Sequence, residues 1–417
     1  MKKRSVLIGI DGVPYNLMDD LSTSGVMPYF QELKEEGQFQ KMCSSIPEIS
    51  SVSWSSIITG KNPGEHSIYG FTELLPNSYT VSFPHFGKLK ANPFWKRDGV
   101  FSVINVPSTY PAAEINGFLV SGFISPDLEK AVYPPRYSEV LKNFKYRIDV
   151  DTKKARKSPT LLFKELYETL ESRVKVYKYF WEKLDWDVFM FVITGSDRLG
   201  HFLWNAYGDE THEYHTQFLE FFRRVDRCIQ DIGENIKKND SLFILSDHGM
   251  EQIQVSVNIN CYLEDKGFLK RGRDSRKGYN NIKEGTRAFA LDPARIYINR
   301  KKLYPEGCIS PEEEENLLEE LEEVFQNLER NGQKVIKAIY RKDQIYHGAY
   351  VDQAPDLVLL PDKGFNLKGG ILPEKIFEID ELSGKHTQDA FLYTSDVRIT
   401  NPSVEDVVPL LNQCMRW

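Results

Sequence analysis

Residues 5–12 read Ser-Val-Leu-Ile-Gly-Ile-Asp-Gly, a short apolar run that stops at an aspartate. A run this brief, rich in β-branched residues and lacking polar alternation, is the pattern of a strand buried on both faces. The pattern recurs at 101–106, 188–194 and 242–246, and again at 356–360. Between these runs, residues 172–184 and 216–236 carry apolar side chains at helical spacing, with Phe218, Phe222, Val225 and Ile229 on one face. Strand and helix alternating over such a length predict an α/β protein: a mostly parallel central sheet with helices on both faces. In that architecture ligands bind beyond the carboxyl ends of the strands.

At 417 residues the chain exceeds one ordinary domain. The stretch 263–342 changes character. It opens basic, passes a strand near 294–298 and runs into an acidic helix at 311–330, where Leu317, Leu318, Leu321 and Val324 recur at helical spacing. It reads as a cap subdomain inserted into a catalytic core of residues 1–262 and 343–417. A hydrophobic content of 41% excludes disorder. With 53 basic and 60 acidic side chains the net charge is −7, so no global positive field exists to hold nucleic acid or an anionic membrane. No nucleic-acid-binding module is recognisable, and no apolar run reaches the roughly 18 residues of a membrane span. The basic start at Lys2, Lys3 and Arg4 is followed by an apolar run that Asp11 cuts short of what a signal peptide needs. Five cysteines without a CxxC pair form no disulfide framework, so a cytoplasmic protein is expected.

Three of the strand-like runs end on an aspartate: Asp11, Asp197 and Asp247. Aspartate is a common turn residue after a strand, so each alone carries little. Their company is more telling. His248 follows Asp247 directly, and His201 follows Asp197 at the i, i+4 spacing of one helical face, in a chain with only eight histidines. Three carboxylates at one sheet edge would repel one another unless cations neutralised them. Mixed Asp and His donors suit Zn²⁺ or Mn²⁺ better than the oxygen-seeking Mg²⁺ or Ca²⁺, and two ions are compatible with such a set. Residues 47–60, PEISSVSWSSIITG, read as a loop entering a helix, with Ser50 or Ser51 at its N-cap. A serine there is an ordinary cap or, beside a divalent ion, a nucleophile toward a phosphate held at the helix's positive end.

Taken in order, IGIDG (8–12), SSVSWSSIITGKNPGEHSIYGF (50–71), GSDRLGHFLW (195–204), SDHGM (246–250) and GKHTQDAFL (384–392) resemble the alkaline phosphatase superfamily. Within it the resemblance is to the type I phosphodiesterase/nucleotide pyrophosphatase branch, nearest to its predicted phosphohydrolase/phosphomutase group. It implies an alkaline phosphatase-like core and two divalent metals, Zn²⁺ first and Mn²⁺ as the alternative. Asp11, Ser50, Asp247 and His248 would hold one ion, and Asp197, His201 and His386 the other. Aligning Thr59-Gly60 with the family's Thr-Gly puts the nucleophile at Ser50, with Ser51 as the alternative. The implied activity is hydrolysis of a small-molecule phosphate ester, of phosphodiesterase or nucleotide pyrophosphatase type, by two in-line displacements through a phosphoseryl intermediate. Two other classes stay open: a phosphomonoesterase, phosphomutase or phosphonate/sulfate ester hydrolase on the same site, and a catalytically idle metal-binding protein of the same fold. Seven competent ligand positions argue against idleness.

One departure bears on the substrate. The family's pyrophosphatase-type members carry an Asp-Asn pair after the Thr-Gly segment, and the gap-free counterpart of that Asn here is Phe71. Lys61 and Arg198 are replacement donors for a phosphate oxygen, against ordinary solvated or salt-bridged roles. His66 reads as a packing residue, His212 and His215 as members of a helical face, and His85 and His347 as loop residues, none of them a ligand. Trp204, Tyr207 and Phe83 could stack on a base, but core packing is the commoner fate of such rings.

Overall fold

The structure is a computed structural model and describes residues 3–415. Its contacts separate two units: one takes the chain up to Lys61, His85–Gln252 and everything from Leu382 onward, and the other takes Asn62–Pro84 and Ile253–Glu381.

An eight-stranded sheet forms the frame of the first unit. In chain order its strands are β1 (Ser5–Ile10), β2 (Gln38–Cys43), β3 (Phe101–Val106), β4 (Gly117–Ser121), β5 (Val132–Tyr133), β6 (Val188–Ile193), β7 (Ser241–Leu245) and β8 (Asp389–Thr394). In space they lie in the order β2-β8-β7-β1-β6-β3-β4-β5. The central five, β7 to β4, run parallel. Antiparallel β8 and β2 complete one side, and antiparallel β5 the other.

Every residue of β1, β3 and β6 is buried, because helices cover both faces of the sheet. The period-2 alternation of the strand sorts the β1 side chains between two cores. Val6, Ile8 and Ile10 pack with helices α1 (Tyr15–Thr23), α2 (Pro28–Glu36), α4 (Pro159–Lys183), α5 (Gly195–Gly208) and α6 (His215–Gly233). Leu7 points the other way, toward α3 (Ser50–Thr59) and α7 (Val407–Met415). Each large apolar side chain buried in these layers contributes on the order of 2 kcal/mol.

Register is what positions the site. Ile10 pairs with Ile193 and Gly9 with Leu245, so β6, β1 and β7 finish level with one another. The segments that leave these three adjacent strands carry Asp197, Asp11 and Asp247 from a single edge of the sheet.

Several elements differ from the sequence expectations. The 172–184 helix is only the later part of α4, which begins behind Ser158, whose side chain accepts the Leu161 N–H. The 356–360 run forms a strand, Leu357–Pro361, but in the other unit and antiparallel to its neighbours. The acidic helix is shorter than 311–330: Pro311–Glu313 is a 3₁₀ turn capped reciprocally by Ser310 and Glu313, the α-helix spans Glu314–Gln326, and Glu329–Arg330 is already strand. Edge strand β2 carries no apolar run in the sequence, because three of the six residues of QFQKMC are polar and only Met42 is buried.

In the second unit a four-stranded antiparallel sheet carries Ala288–Leu291, Arg295–Ile298, Leu357–Pro361 and Ile336–Arg341 side by side. Leu317, Leu321 and Phe325 of the acidic helix pack on its Phe289, Ile296 and Leu359. Val255–Asn258 pairs with Phe365–Lys368, so this unit reaches past residues 263–342 on both sides. Residues 62–84 join it as well, with the Tyr79 hydroxyl 2.7 Å from Asn299 Oδ1 and the Arg295 guanidinium donating to Thr72 O. Strand pairing at long sequence separation decides such boundaries, and a local change in composition does not report it. No described helix is long and apolar enough to cross a membrane, and all five cysteines are unpaired.

Candidate active site

The seven expected ligand residues all lie in the first unit, and six of them form two clusters. Asp11, Asp247 and His248 make one, and Asp197, His201 and His386 the other; within each, the donor atoms lie within 4.8 Å of one another. The elements explain the convergence. Asp11 follows β1 directly, Asp247 and His248 follow β7, and Asp197 and His201 share one face of α5 a turn apart. His386 is delivered by a ladder: Gly384–Thr387 pairs antiparallel with Gly249–Gln252, setting His386 opposite Met250. The rings of His248 and His386 stack at 3.6 Å, so the two clusters adjoin.

Each aspartate divides its two oxygens between the protein and the site. Trp54 Nε1–H donates to Asp11 Oδ2 at 3.0 Å, the Gly12 N–H to Asp247 Oδ1 at 3.1 Å, and Arg198 Nη1 to Asp197 Oδ2 at 3.1 Å. The other three oxygens, Asp11 Oδ1, Asp247 Oδ2 and Asp197 Oδ1, are buried and accept no hydrogen bond among the described residues. Opposite them stand imidazole nitrogens. His248 Nε2 is 3.6 Å from Asp11 Oδ1 and 3.3 Å from Asp247 Oδ2. Asp197 Oδ1 is 3.3 Å from His201 Nε2 and 3.2 Å from His386 Nε2.

The three histidines are oriented alike. His201 Nδ1–H donates to Gly384 O at 2.8 Å, His248 Nδ1–H to Gly249 O at 2.9 Å and His386 Nδ1–H to Glu48 O at 2.9 Å. A backbone carbonyl on Nδ1 leaves Nε2 bare in the neutral ring, which is how metal-binding imidazoles are usually held. His201 Nε2 and His386 Nε2 then face each other at 2.9 Å. Two lone pairs at that separation repel unless a proton or a cation lies between them. Buried oxygens without donors and converging bare nitrogens are costly in a protein interior, and both fit a divalent cation in each cluster. The mixed N/O donor set suits Zn²⁺ or Mn²⁺.

Electrostatics agree with the geometry. Burial raises Asp11 well above the usual carboxylate range, with Asp247 and Asp197 adding to the effect. Burial likewise raises Asp247 to about 7, against the pull of the Gly12 N–H. Asp197 goes the other way: burial opposes its ionisation, but His201 and His386 outweigh it, and His201 is raised in return. Burial pushes His248 and His386 down. Burial and mutual repulsion thus disfavour full ionisation of Asp11 and Asp247, a cost that divalent cations would relieve.

Ser50 is the first residue of α3, and the N-cap is Ile49, which makes no side-chain cap bond. The sequence pattern places Ser50 or Ser51 at that cap, and the structure moves the cap to Ile49. One residue further on, the serine side chain is free of the cap, and Ser50 Oγ lies 3.0 Å from His248 Nε2. Ser51 Oγ is buried and makes no hydrogen bond among the described residues. All ten residues of α3 are buried, so its other serines find partners inside. Ser53 Oγ meets Ser44 Oγ at 3.0 Å and Ser45 Oγ at 2.8 Å, and Ser44 Oγ donates to Asp247 O at 2.7 Å. This chain ties the helix that carries Ser50 to the segment that carries Asp247.

Of the remaining candidates only Arg198 touches the site, through Asp197. Arg198 is salt-bridged: Nη2 donates to Asp149 Oδ2 at 2.7 Å, and the guanidinium lies 4.6 Å from the Phe123 ring centre. Lys61 is exposed. His66 belongs to the second unit, where burial pushes it down to about 3 and its Nδ1 accepts the Ile68 N–H. His212 sits in a turn and not on a helix, beside Asn205, and only His215 begins α6. His85 caps a 3₁₀ turn, and His347 is exposed, 3.6 Å from Glu65. Tyr207 donates to Asp20, Trp204 packs at the edge of the core and Phe83 is exposed. Reading residue types alone passed over Gly12 and Trp54 as partners of the aspartates, although both stand inside the quoted motifs.

Comparison with known proteins adds the lineage. The sequence matches the family described as type I phosphodiesterase / nucleotide pyrophosphatase over residues 5–389. No curated protein matches it. Among solved structures it is similar to phosphonoacetate hydrolase from Sinorhizobium meliloti 1021 in complex with phosphonoformate, at a TM-score of 0.67 and 14% identity, covering 100% of this chain and 95% of that one. Murine ectonucleotide pyrophosphatase / phosphodiesterase 5 in complex with AMP gives 0.59 at 14% identity with the same coverages, and the human protein 0.58 at 13%, covering 99% and 95%. At these identities the structures speak for the fold, which is alkaline phosphatase-like. The family match spans nearly the whole chain, and the protein therefore belongs to the type I phosphodiesterase / nucleotide pyrophosphatase family, as a hydrolase of phosphoester bonds.

Proposed function

We propose that the protein hydrolyses a phosphodiester or nucleotide pyrophosphate through a phosphoseryl intermediate on Ser50, at a site holding two divalent cations. Asp11, Ser50, Asp247 and His248 would hold one ion, and Asp197, His201 and His386 the other. Zn²⁺ is favoured and Mn²⁺ is the alternative. The observation that carries the reading is the pairing of three donorless buried carboxylate oxygens with three bare Nε2 atoms, and Ser50 Oγ 3.0 Å from one of them. When bound, the ions would make the serine hydroxyl more acidic and offset the charge that develops on phosphorus and the leaving oxygen.

The chain's own residues do the rest. His248 Nε2 would be taken up by the ion, so the Ser50 proton would pass to solvent as Oγ attacks phosphorus from the amino end of α3, where the helix dipole favours the anionic group. The Oγ–P bond forms as the ester oxygen leaves on the opposite side and takes up a proton. Water then displaces Ser50 by the same in-line path: its oxygen bonds to phosphorus as the Oγ–P bond breaks, it gives up a proton to solvent, Ser50 Oγ takes one up, and phosphorus retains its configuration overall. The histidine Nδ1–H bonds to Gly384, Gly249 and Glu48 keep the three rings fixed through both steps.

The test is a substrate panel with each ion: bis(p-nitrophenyl) phosphate and the p-nitrophenyl ester of thymidine monophosphate against p-nitrophenyl phosphate and p-nitrophenyl sulfate. The diesters should exceed the monoester in kcat/KM by about tenfold or more, a difference of ~1.4 kcal/mol in barrier. A reversed ranking would assign the site to monoester or sulfate chemistry.

A further inference from the structure

The indole of Trp54 is completely buried, and its position answers a question the ligand set raises: what keeps Asp11 turned with one oxygen toward the site. Its Nε1–H is 3.0 Å from Asp11 Oδ2, which leaves Oδ1 as the donorless atom facing His248. Trp54 follows Ser50 by four residues in α3, so nucleophile and indole share one helical face. The seat for the ring is specific. A Cβ on Gly9 would lie 2.4 Å from Trp54 Cη2 and 3.2 Å from Cζ3, so β1 can accept the indole there only because residue 9 has no side chain. Packing alone asks merely for a large apolar group at position 54, which Phe or Leu supplies. The N–H to a carboxylate oxygen is what tryptophan adds.

We infer that Trp54 is a positioning residue for the metal site: its N–H occupies Asp11 Oδ2, presents Oδ1 alone to the ion held with Asp247 and His248, and fixes the Ser50 helix to that ligand. The inference rests on the two-ion reading above and adds a residue outside the ligand set. Outer-shell partners of this kind commonly change metal affinity by about 10- to 100-fold when removed.

The experiment titrates metal-free protein with Zn²⁺ against a chromophoric chelator, for the wild type, Trp54→Phe and Ile57→Val. Ile57 lies in the same helix and core but offers no hydrogen bond, so its variant reports loss of packing alone. Trp54→Phe should weaken one of two binding steps about tenfold or more and leave the other in place, while Ile57→Val should leave both unchanged. In wild-type protein with ¹⁵N-labelled indoles, one of the six tryptophan N–H signals should shift in proportion to that same step, a readout that needs no variant to fold. Equal affinities in Trp54→Phe and wild type, equal weakening in both variants, or six unmoved indole signals would overturn the role of Trp54. A wild type that binds no ion would overturn the metal-site reading itself, and the inference with it.

Discussion

Ser50→Ala is expected to lower kcat/KM by about 10³-fold or more, because the variant lacks the atom that forms the bond to phosphorus. Folding should survive. The side chain is small, and the lost contact to His248 is one hydrogen bond, about 1 kcal/mol, so the melting temperature should move by only a few degrees. Acid quenching of the wild type during turnover of a ³²P-labelled ester should trap label on the chain, and Ser50→Ala should trap none. Ser51→Ala is the informative companion, since Ser51 Oγ makes no hydrogen bond among the described residues that its removal would break. Retained activity in Ser50→Ala together with loss in Ser51→Ala would move the nucleophile by one residue. Full activity in both would remove the covalent mechanism altogether.

The second large effect is metal removal. Dialysis against a strong chelator should take activity to background, and two equivalents of Zn²⁺ or Mn²⁺ per chain should restore it, the better ion being the resident candidate. Stability should follow. In the metal-free chain the buried carboxylates repel one another, whereas free ion at 1,000 times its dissociation constant should add about 4 kcal/mol per site. Elemental analysis giving one ion per chain, or activity that persists after exhaustive chelation, would exclude the dinuclear reading.

These expectations draw unequally on sequence and structure. The parallel core was legible because a strand covered on both faces must be apolar throughout, and Val6 to Ile10 meets that requirement without reference to anything else. Strand β2 was not, since an edge strand with QFQKMC can satisfy its polar side chains in water. The second unit was legible only in part. Its helix announces itself by Leu317 and Leu321, but Leu357–Pro361 reads from sequence like a core parallel strand, and only its pairing with Arg295–Ile298 and Ile336–Arg341 assigns it elsewhere.

The site divides in the same way. The candidate donors could be picked out in the sequence: the aspartates follow recognisable strands, and Asp197 and His201 stand a helical turn apart, both consequences of local periodicity. The glycines of IGIDG were visible but mute. Gly12, with φ of +72° and space for no Cβ beside Asp197, and Gly9, beneath the Trp54 ring, acquire a reason only when segments remote in sequence arrive next to them. Sequence by itself therefore named the residues proposed to bind a cation and attack a phosphate. Tertiary structure alone decided which oxygen of each aspartate is held and which is left bare, which nitrogen of each histidine is protonated, and that Ser50 and not the cap position meets His248. The physical reason is that, apart from the local bond of His248 Nδ1–H to Gly249 O, these choices depend on hydrogen bonds across gaps of more than forty residues, from Trp54 to Asp11, Gly12 to Asp247 and His386 to Glu48. No local pattern in the chain records a partner that only folding supplies.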